Sequence, residues 1–241
     1  GVGQKKWSGV PEREVDRKVE PGVVGGAKMV LAYGTAAAAG GYSLKRVADG
    51  LKSHSTISFG LRSVLAVAAV FGCFEVFPHF AVGISEVHFI LGTTILLLLG
   101  AGPAAVGLAG GLLIQGALFA PSDMPMFFVN VTTLLFPLFA IDALAKRIIP
   151  EQKAYVDCSY SEVLKLSFAY QGGVIAWVAF WAFYGQGFGA ENMSAVASFG
   201  AAYLLVVLIE PVADLAVLAG AKLLRDTKQR GLFTQRLFNP A

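Results

Sequence analysis

The chain has 241 residues, of which 56% are hydrophobic and only 15% charged, with a net charge of +3. A soluble domain carries about 25% charged residues, and several apolar runs here reach the roughly 20 residues that a membrane-crossing helix needs. A soluble domain is therefore excluded; so are a membrane β-barrel, which would show period-2 alternation, an open sheet in lipid, and a nucleic-acid surface, since no basic stripe is interleaved with aromatics.

The expected class is an all-α polytopic membrane protein with about seven transmembrane helices. A polar arm over 1–20 precedes a membrane domain over 21–222, and a basic tail over 223–241 closes the chain. In the arm, Lys5, Lys6, Arg13, Arg17 and Lys18 mix with Glu12, Glu14, Asp16 and Glu20 around a lone Trp7, with no apolar core of the signal-peptide kind. Span one is expected over 22–47, with Gly22, Gly26, Ala32, Ala36 and Gly40 as a small-residue face for a close neighbour. Lys45, Arg46, Lys52 and Arg62 fall in or beside the next loop, with an exposed His54. Span two covers 61–77, and Pro78 and Gly83 punctuate a short connection. Span three covers 84–99 as one helix, and a turn at Gly100, Gly102 and Pro103 leads to span four over 104–119. Gly107 and Gly111 give span four a second close-packing face. A turn carrying Asp123 leads to span five over 126–144. Span six covers 163–184, with Trp177, Trp181 and Tyr184 as an aromatic belt. Span seven covers 196–221.

The one-two loop, the five-six loop and the C-terminal tail are basic. The two-three, four-five and six-seven loops contain no Lys or Arg. The positive-inside rule then puts the C-terminus in the cytoplasm and the N-terminus outside. His79, Glu86, His88, Asp123 and Glu191 fall at the outer surface. Cys73 and Cys158 lie near opposite faces without CxxC spacing, so no disulfide is expected.

The stretch from Phe77 to Pro137 has no Lys or Arg, yet it contains His79, Glu86, His88 and Asp123. Ionisable groups beside membrane runs are costly and face the protein interior or a water-filled cavity. Imidazole is the commonest ligand for borderline metals, so these residues suggest a cation site. On a helix, Ser85 and Gly92 share the face of His88, and Gly92 leaves room beside the ring. The alternative is a packed histidine bonded to a backbone carbonyl. His79 and Glu86 are further ligands, an electrostatic lure, or a solvated loop. Asp123 lines the same entrance or caps the next helix. Gln115, Asn130, Thr132 and Thr133 are polar groups for interhelical hydrogen bonds, worth about 0.6–2 kcal/mol each, and Asn130 is also a candidate support for a ligand histidine. Glu210 and Asp214 share one face of span seven, with a kink expected at Pro211. They are either a coupling site or a pair neutralised by an internal partner. No catalytic triad, phosphate-cradling loop or HExxH pattern occurs, so no enzyme activity is expected, and ATP-driven transport would need another subunit.

Several elements occur in the order of a known family. They are S-E-V-H-x-x-x-G around His88, G-P-A-A at the next turn, the run around Gln115, V-N-V-T around Asn130, and E-P-G-V-V from Glu20. Together they resemble the cobalt/nickel substrate-binding components (CbiM/NikM type) of energy-coupling-factor transporters, over most of 20–146. The resemblance implies seven helices and an outward-facing site for Co(II) or Ni(II). It also implies a transmembrane coupling subunit and cytoplasmic ATPases as partners. In the family, the terminal amine and the histidine of an M-H-I start bind metal with the histidine that matches His88. Here Arg17, Lys18 and Val19 occupy those positions, and a lysine ammonium offers no lone pair at neutral pH.

Two readings follow. One is a subunit for Co or Ni uptake, with His88 as ligand, His79, Glu86 and Asp123 as helpers, and Asn130, Gln115, Glu210 and Asp214 as supporting or coupling residues. The other is a non-transporting accessory subunit among other subunits of a larger membrane complex. Both place the chain in a lipid bilayer, the bacterial cytoplasmic membrane, without nucleic acid and without a cofactor other than the transported ion.

Overall fold

The computed structural model describes residues 26–53, 55–225 and 232–240. The polar arm, Lys18, Gly22, His54, and Lys228 and Arg230 of the basic tail lie outside the described residues. The described part is helical apart from one small hairpin. In order the elements are α1 (Gly26–Ser53), α2 (Thr56–Phe71), β1 (Phe80–Val82), β2 (Ser85–Val87), α3 (Gly92–Leu99), α4 (Ala101–Leu118), α5 (Phe127–Ile148), α6 (Tyr160–Gln186), α7 (Ala190–Leu223) and α8 (Gln235–Phe238). A π-helical stretch, Gly72–Val76, extends α2, and a 3-10 turn, Pro121–Met126, leads into α5.

Five helical stretches among the described residues are long and apolar enough to cross a membrane: Thr56–Val76, Ala101–Leu118, Pro121–Ile148, Tyr160–Gln186 and Ala190–Leu223. These support the polytopic all-α class. Helix α1 has the length, at 28 residues, but carries Lys28, Lys45, Arg46, Asp49 and Lys52 and is not among the five.

The expected third span is not one helix. Residues 84–99 divide into the second strand of a hairpin, an irregular segment over 88–91 and the eight-residue α3. Eight residues rise about 12 Å, well short of the roughly 30 Å hydrocarbon core. Two local features break the helix. Gly83 takes a φ of +60° at the hairpin turn, where an added Cβ would lie 2.3 Å from the Ala195 carbonyl oxygen of α7. Leu91 adopts the left-handed conformation, φ 56° and ψ 34°, immediately before α3. The hairpin pairs Phe80 with Val87, Ala81 with Glu86 and Val82 with Ser85.

Helix α3 sits at the centre, touching α2, α4, α5, α6, α7 and α8. Ile95, Leu96, Leu97 and Leu99 are all buried, so a helix that is apolar on every side is what the position requires. The GxxxG face of α4 works as expected. A Cβ at Gly107 would meet the Ala66 methyl at 2.4 Å, and one at Gly111 would meet Val70 at 2.7 Å, so α2 and α4 approach backbone to backbone.

Three local expectations change. The stripe of α1 packs through Ala32 and Ala39, while a Cβ added at Gly26 or Gly40 would have nothing within 4 Å. The aromatic belt is partly interior: Trp181 is 3% exposed, and Trp177 donates its indole N–H to the Thr132 hydroxyl at 3.0 Å. Tyr184 and Phe180 remain exposed. Arg62 is not a loop residue but a buried one inside α2, 1% exposed.

The bundle has two chemically different ends. The hairpin, the 3-10 turn and the α6–α7 connection lie at one, here the hairpin end. At the opposite end Asp142 bridges Arg46 and Lys146, each at 2.8 Å. There Ser159 and Glu162 form a capping box that starts α6, Lys153 pairs with Glu162 at 2.7 Å, and Arg225 pairs with Asp157. Arg236 donates to the Pro150 carbonyl at 2.8 Å and holds the C-terminal segment against the α5–α6 connection.

Candidate functional site

Three elements bring carboxylates and imidazole together at the hairpin end. The π-helical stretch supplies Glu75, the hairpin supplies Glu86 with His79 just before it, and the 3-10 turn supplies Asp123. Glu86 is half-buried. Burial pushes its carboxyl above the ordinary range, the Asp123 and Glu75 charges push it the same way, and His79 opposes them. Glu86 therefore senses the other three groups across the hairpin. π-Helical turns recur at functional sites because they displace a side chain from the regular helical face. Here the displaced turn puts Glu75 within reach of the hairpin.

His88 follows β2 directly. Its ring packs on Phe74, with centroids 4.2 Å apart. Nδ1 is 3.4 Å from the carbonyl oxygen of the adjacent Phe89, a long and therefore weak hydrogen bond. The helical-face argument for His88 does not hold. Ser85 is in a strand, and Gly92 makes room for Tyr170 rather than for the histidine: a Cβ at Gly92 would lie 2.3 Å from the Tyr170 ring.

The structure places the other candidates as follows. Asp123 is exposed, and it does not cap α5, whose N-cap position is Met126. The Ser122 hydroxyl donates to the Asp123 carboxylate at 3.4 Å. His79 has Nδ1 3.2 Å from the Phe77 carbonyl oxygen. Gln115 is buried near the end of α4, and Asn130 is half-buried in the first turn of α5. Thr132 and Thr133 donate to the Val129 carbonyl of their own helix at 2.8 and 3.1 Å, so only Thr132, through Trp177, links helices. Cys73 and Cys158 are both free; burial pushes the Cys158 thiol up to about 11.

Glu210 and Asp214 have internal partners that periodicity alone did not identify: the broken backbone before α3 for Glu210, and Thr94 in the first turn of α3 for Asp214. Glu210 accepts the Ile90 N–H, accepts the Leu91 N–H at 3.0 Å, and accepts from the Gln171 side-chain amide. Gln171 in turn accepts from the Tyr203 hydroxyl at 2.8 Å. Asp214 accepts the Thr94 N–H at 3.1 Å, the Thr94 hydroxyl at 2.5 Å and the Ser167 hydroxyl at 2.6 Å. Leu91 has no side chain that can cap α3, and the capping oxygen that a Ser or Asp would supply locally arrives from α7 instead. Irregular backbone at membrane depth persists only where its polar groups are satisfied within the protein.

The other end of α3 is capped with the opposite charge. The Arg62 guanidinium donates to the Leu99 carbonyl at 2.7 Å, and the Thr234 N–H donates to the Leu98 carbonyl at 2.8 Å. Carboxyl oxygens at the N-terminus and a guanidinium at the C-terminus both complement the helix dipole.

Glu75, Ser167, Gln171 and Thr234 were not among the residues singled out from the sequence, and Arg62 figured there only as a loop charge. Glu75 carried a readable signal, a lone acid at the end of an apolar run, two residues before the stretch without cations. Ser167 and Gln171 lie four apart on α6, like Asp214 and Glu210 on α7, and that matching spacing was also readable. Among the described residues, no group of three or more His, Cys, Asp or Glu is close enough to hold a metal ion.

A family model described as a cobalt uptake substrate-specific transmembrane region (CbiM) matches residues 18–226. Neither a curated protein nor a solved structure matches the chain.

Proposed function

The chain belongs to the family of cobalt uptake substrate-specific transmembrane regions, and from that premise we propose that it captures Co(II), with Ni(II) as a second substrate, at the hairpin end. The family is one of transporter components rather than enzymes, and the family match over 18–226 is the observation that carries the reading. His88 supplies the imidazole ligand. Glu75, Glu86 and Asp123 concentrate divalent cations at the mouth, as carboxylates on one face do through their summed field. His79, in the same connection, offers a second imidazole on the way in.

In this reading the hairpin end faces the outside and the opposite, basic end faces the cytoplasm, in line with the positive-inside rule. Seven crossings result if α1 spans and if residues 88–99 count as one crossing made of irregular chain plus a short helix. No nucleotide-cradling loop occurs in the chain, so energy comes from a separate coupling subunit and cytoplasmic ATPases. The bacterial cytoplasmic membrane is the site that suits this partnership.

Accumulation of radiolabelled Co(II) in cells expressing the chain with its coupling subunits tests the proposal. Wild type should raise cobalt uptake above the empty-vector level, His88→Ala should return it to that level, and excess Ni(II) should compete. Uptake by the His88→Ala protein equal to wild type would refute the role of His88.

A further inference from the structure

Glu210 contacts neither the hairpin carboxylates nor the His88 ring, yet it holds the backbone on which that ring depends. The Ile90 and Leu91 N–H groups converge on one oxygen of its carboxylate, only two and three residues after His88. The other oxygen is held by Gln171, which is held by Tyr203. Glu210 itself is 0% exposed. A second observation points to the same place. Leu91 is the only residue other than glycine with positive φ among the described residues. That conformation is strained for a residue with a β-carbon and persists only where the surroundings over-determine it. Glu210 on one side and Tyr170 against Gly92 on the other supply that constraint.

The geometry points to Glu210 as a positioning residue for His88: by clamping the Ile90–Leu91 turn, it fixes the direction from which the imidazole meets a divalent ion at the hairpin end. Asp214, through Thr94, fixes the first turn of α3 behind it. The clamp rests on the reading of His88 as a metal ligand only for its functional consequence; its structural half stands independently. It also makes His88 sensitive to α7. The hairpin turn packs on Ala195 and the clamp on Glu210, both of α7, so a displacement of that helix carries the histidine with it.

The test uses the full chain in lipid nanodiscs and compares wild type with Glu210→Ala, Glu210→Gln and His88→Ala. Two quantities are read: amide hydrogen exchange of the segment 88–94 without metal, and Co(II) affinity by titration. Glu210→Ala should speed exchange in that segment about tenfold, with the other helices little changed, and weaken Co(II) binding about tenfold. Glu210→Gln keeps an acceptor oxygen in place and should restore both to within about threefold of wild type. A merely structural role would lower the melting temperature without that local signature or that rescue. If Glu210→Ala does not fold, Gln171→Leu, which leaves Glu210 with its backbone donors but frees it to move, should give the same changes at smaller size.

Exchange and affinity both at wild-type values in Glu210→Ala, or in Gln171→Leu where that variant stands in, would overturn the proposal. If exchange accelerates but Co(II) affinity stays at wild type while His88→Ala abolishes binding, the positioning role is overturned although the clamp exists. If His88→Ala binds Co(II) like wild type, the ligand reading of His88 fails and the positioning role falls with it; accelerated exchange then upholds the clamp alone.

Discussion

Glu86 shows how a single carboxylate can be tuned by what surrounds it. It is half-buried, and its neighbours Asp123 and Glu75 are acids. Its folded pKa therefore lies above its unfolded value, so the group favours the folded state most in acid, and that contribution is lost as pH rises through the folded pKa. Ionisation of this carboxyl therefore works against folding, increasingly as pH rises. Glu86→Gln should therefore raise the thermal unfolding temperature at neutral pH, with the gain shrinking toward about pH 4 as the wild-type carboxyl also takes up its proton. An equal gain at both pH values would contradict the acidic environment described for it. The same substitution should weaken capture of Co(II) at neutral pH, since one charge of the mouth is gone. Such opposition between stability and function at one side chain is expected where like charges are gathered for a ligand.

At the scale of the element, α3 is the part the sequence disguised. The run Ile84–Leu99 is continuously apolar after Glu86 and His88, and periodicity cannot separate a buried short helix from a lipid-facing long one. The signals that break it are tertiary. Gly83 sits against Ala195, Leu91 is forced into a left-handed turn, and Gly92 lies under Tyr170. None of these is visible without the partner helix. By contrast, Gly107 and Gly111 announced the close packing of α4 correctly, because GxxxG spacing carries its own geometry. Glu210 and Asp214 were legible as a costly pair on one face, and the matching spacing of Ser167 and Gln171 was readable too, but their backbone partners were not, since backbone N–H groups leave no trace in composition. The capping of α3 by charge at both ends can be tested from its lower end. Arg62→Met keeps the length of the side chain and removes the donor to the Leu99 carbonyl. A hydrogen bond to a charged group contributes about 1.5–3 kcal/mol, so the variant should unfold at lower temperature by that free energy, as measured by thermal denaturation. A variant as stable as wild type would show that the cap is not needed.

Across the whole molecule the charge is polarised. Acids and imidazoles gather at the hairpin end, while Arg46, Lys146, Lys153, Lys222, Arg225 and Arg236 hold the other end together. The loop charges predicted this separation correctly because it is a property of composition and alternation. The hairpin, and the π-helical stretch that carries Glu75, were marked by no local pattern. The central helix lies between the two ends, tied above to the segment that follows His88 through Glu210 and below to the C-terminal segment through Thr234. That continuity suits a component that accepts an ion on one side and communicates with partners on the other.

The claim beneath all of this is that the hairpin end binds cobalt through His88. Equilibrium titration of the purified, metal-free full chain with Co(II), alongside His88→Ala, measures it directly. Wild type should bind one Co(II) ion at micromolar concentration or tighter, and His88→Ala should weaken that binding about tenfold or more. Wild-type protein that binds no Co(II) at such concentrations, or a His88→Ala protein that binds it equally well, would contradict the account.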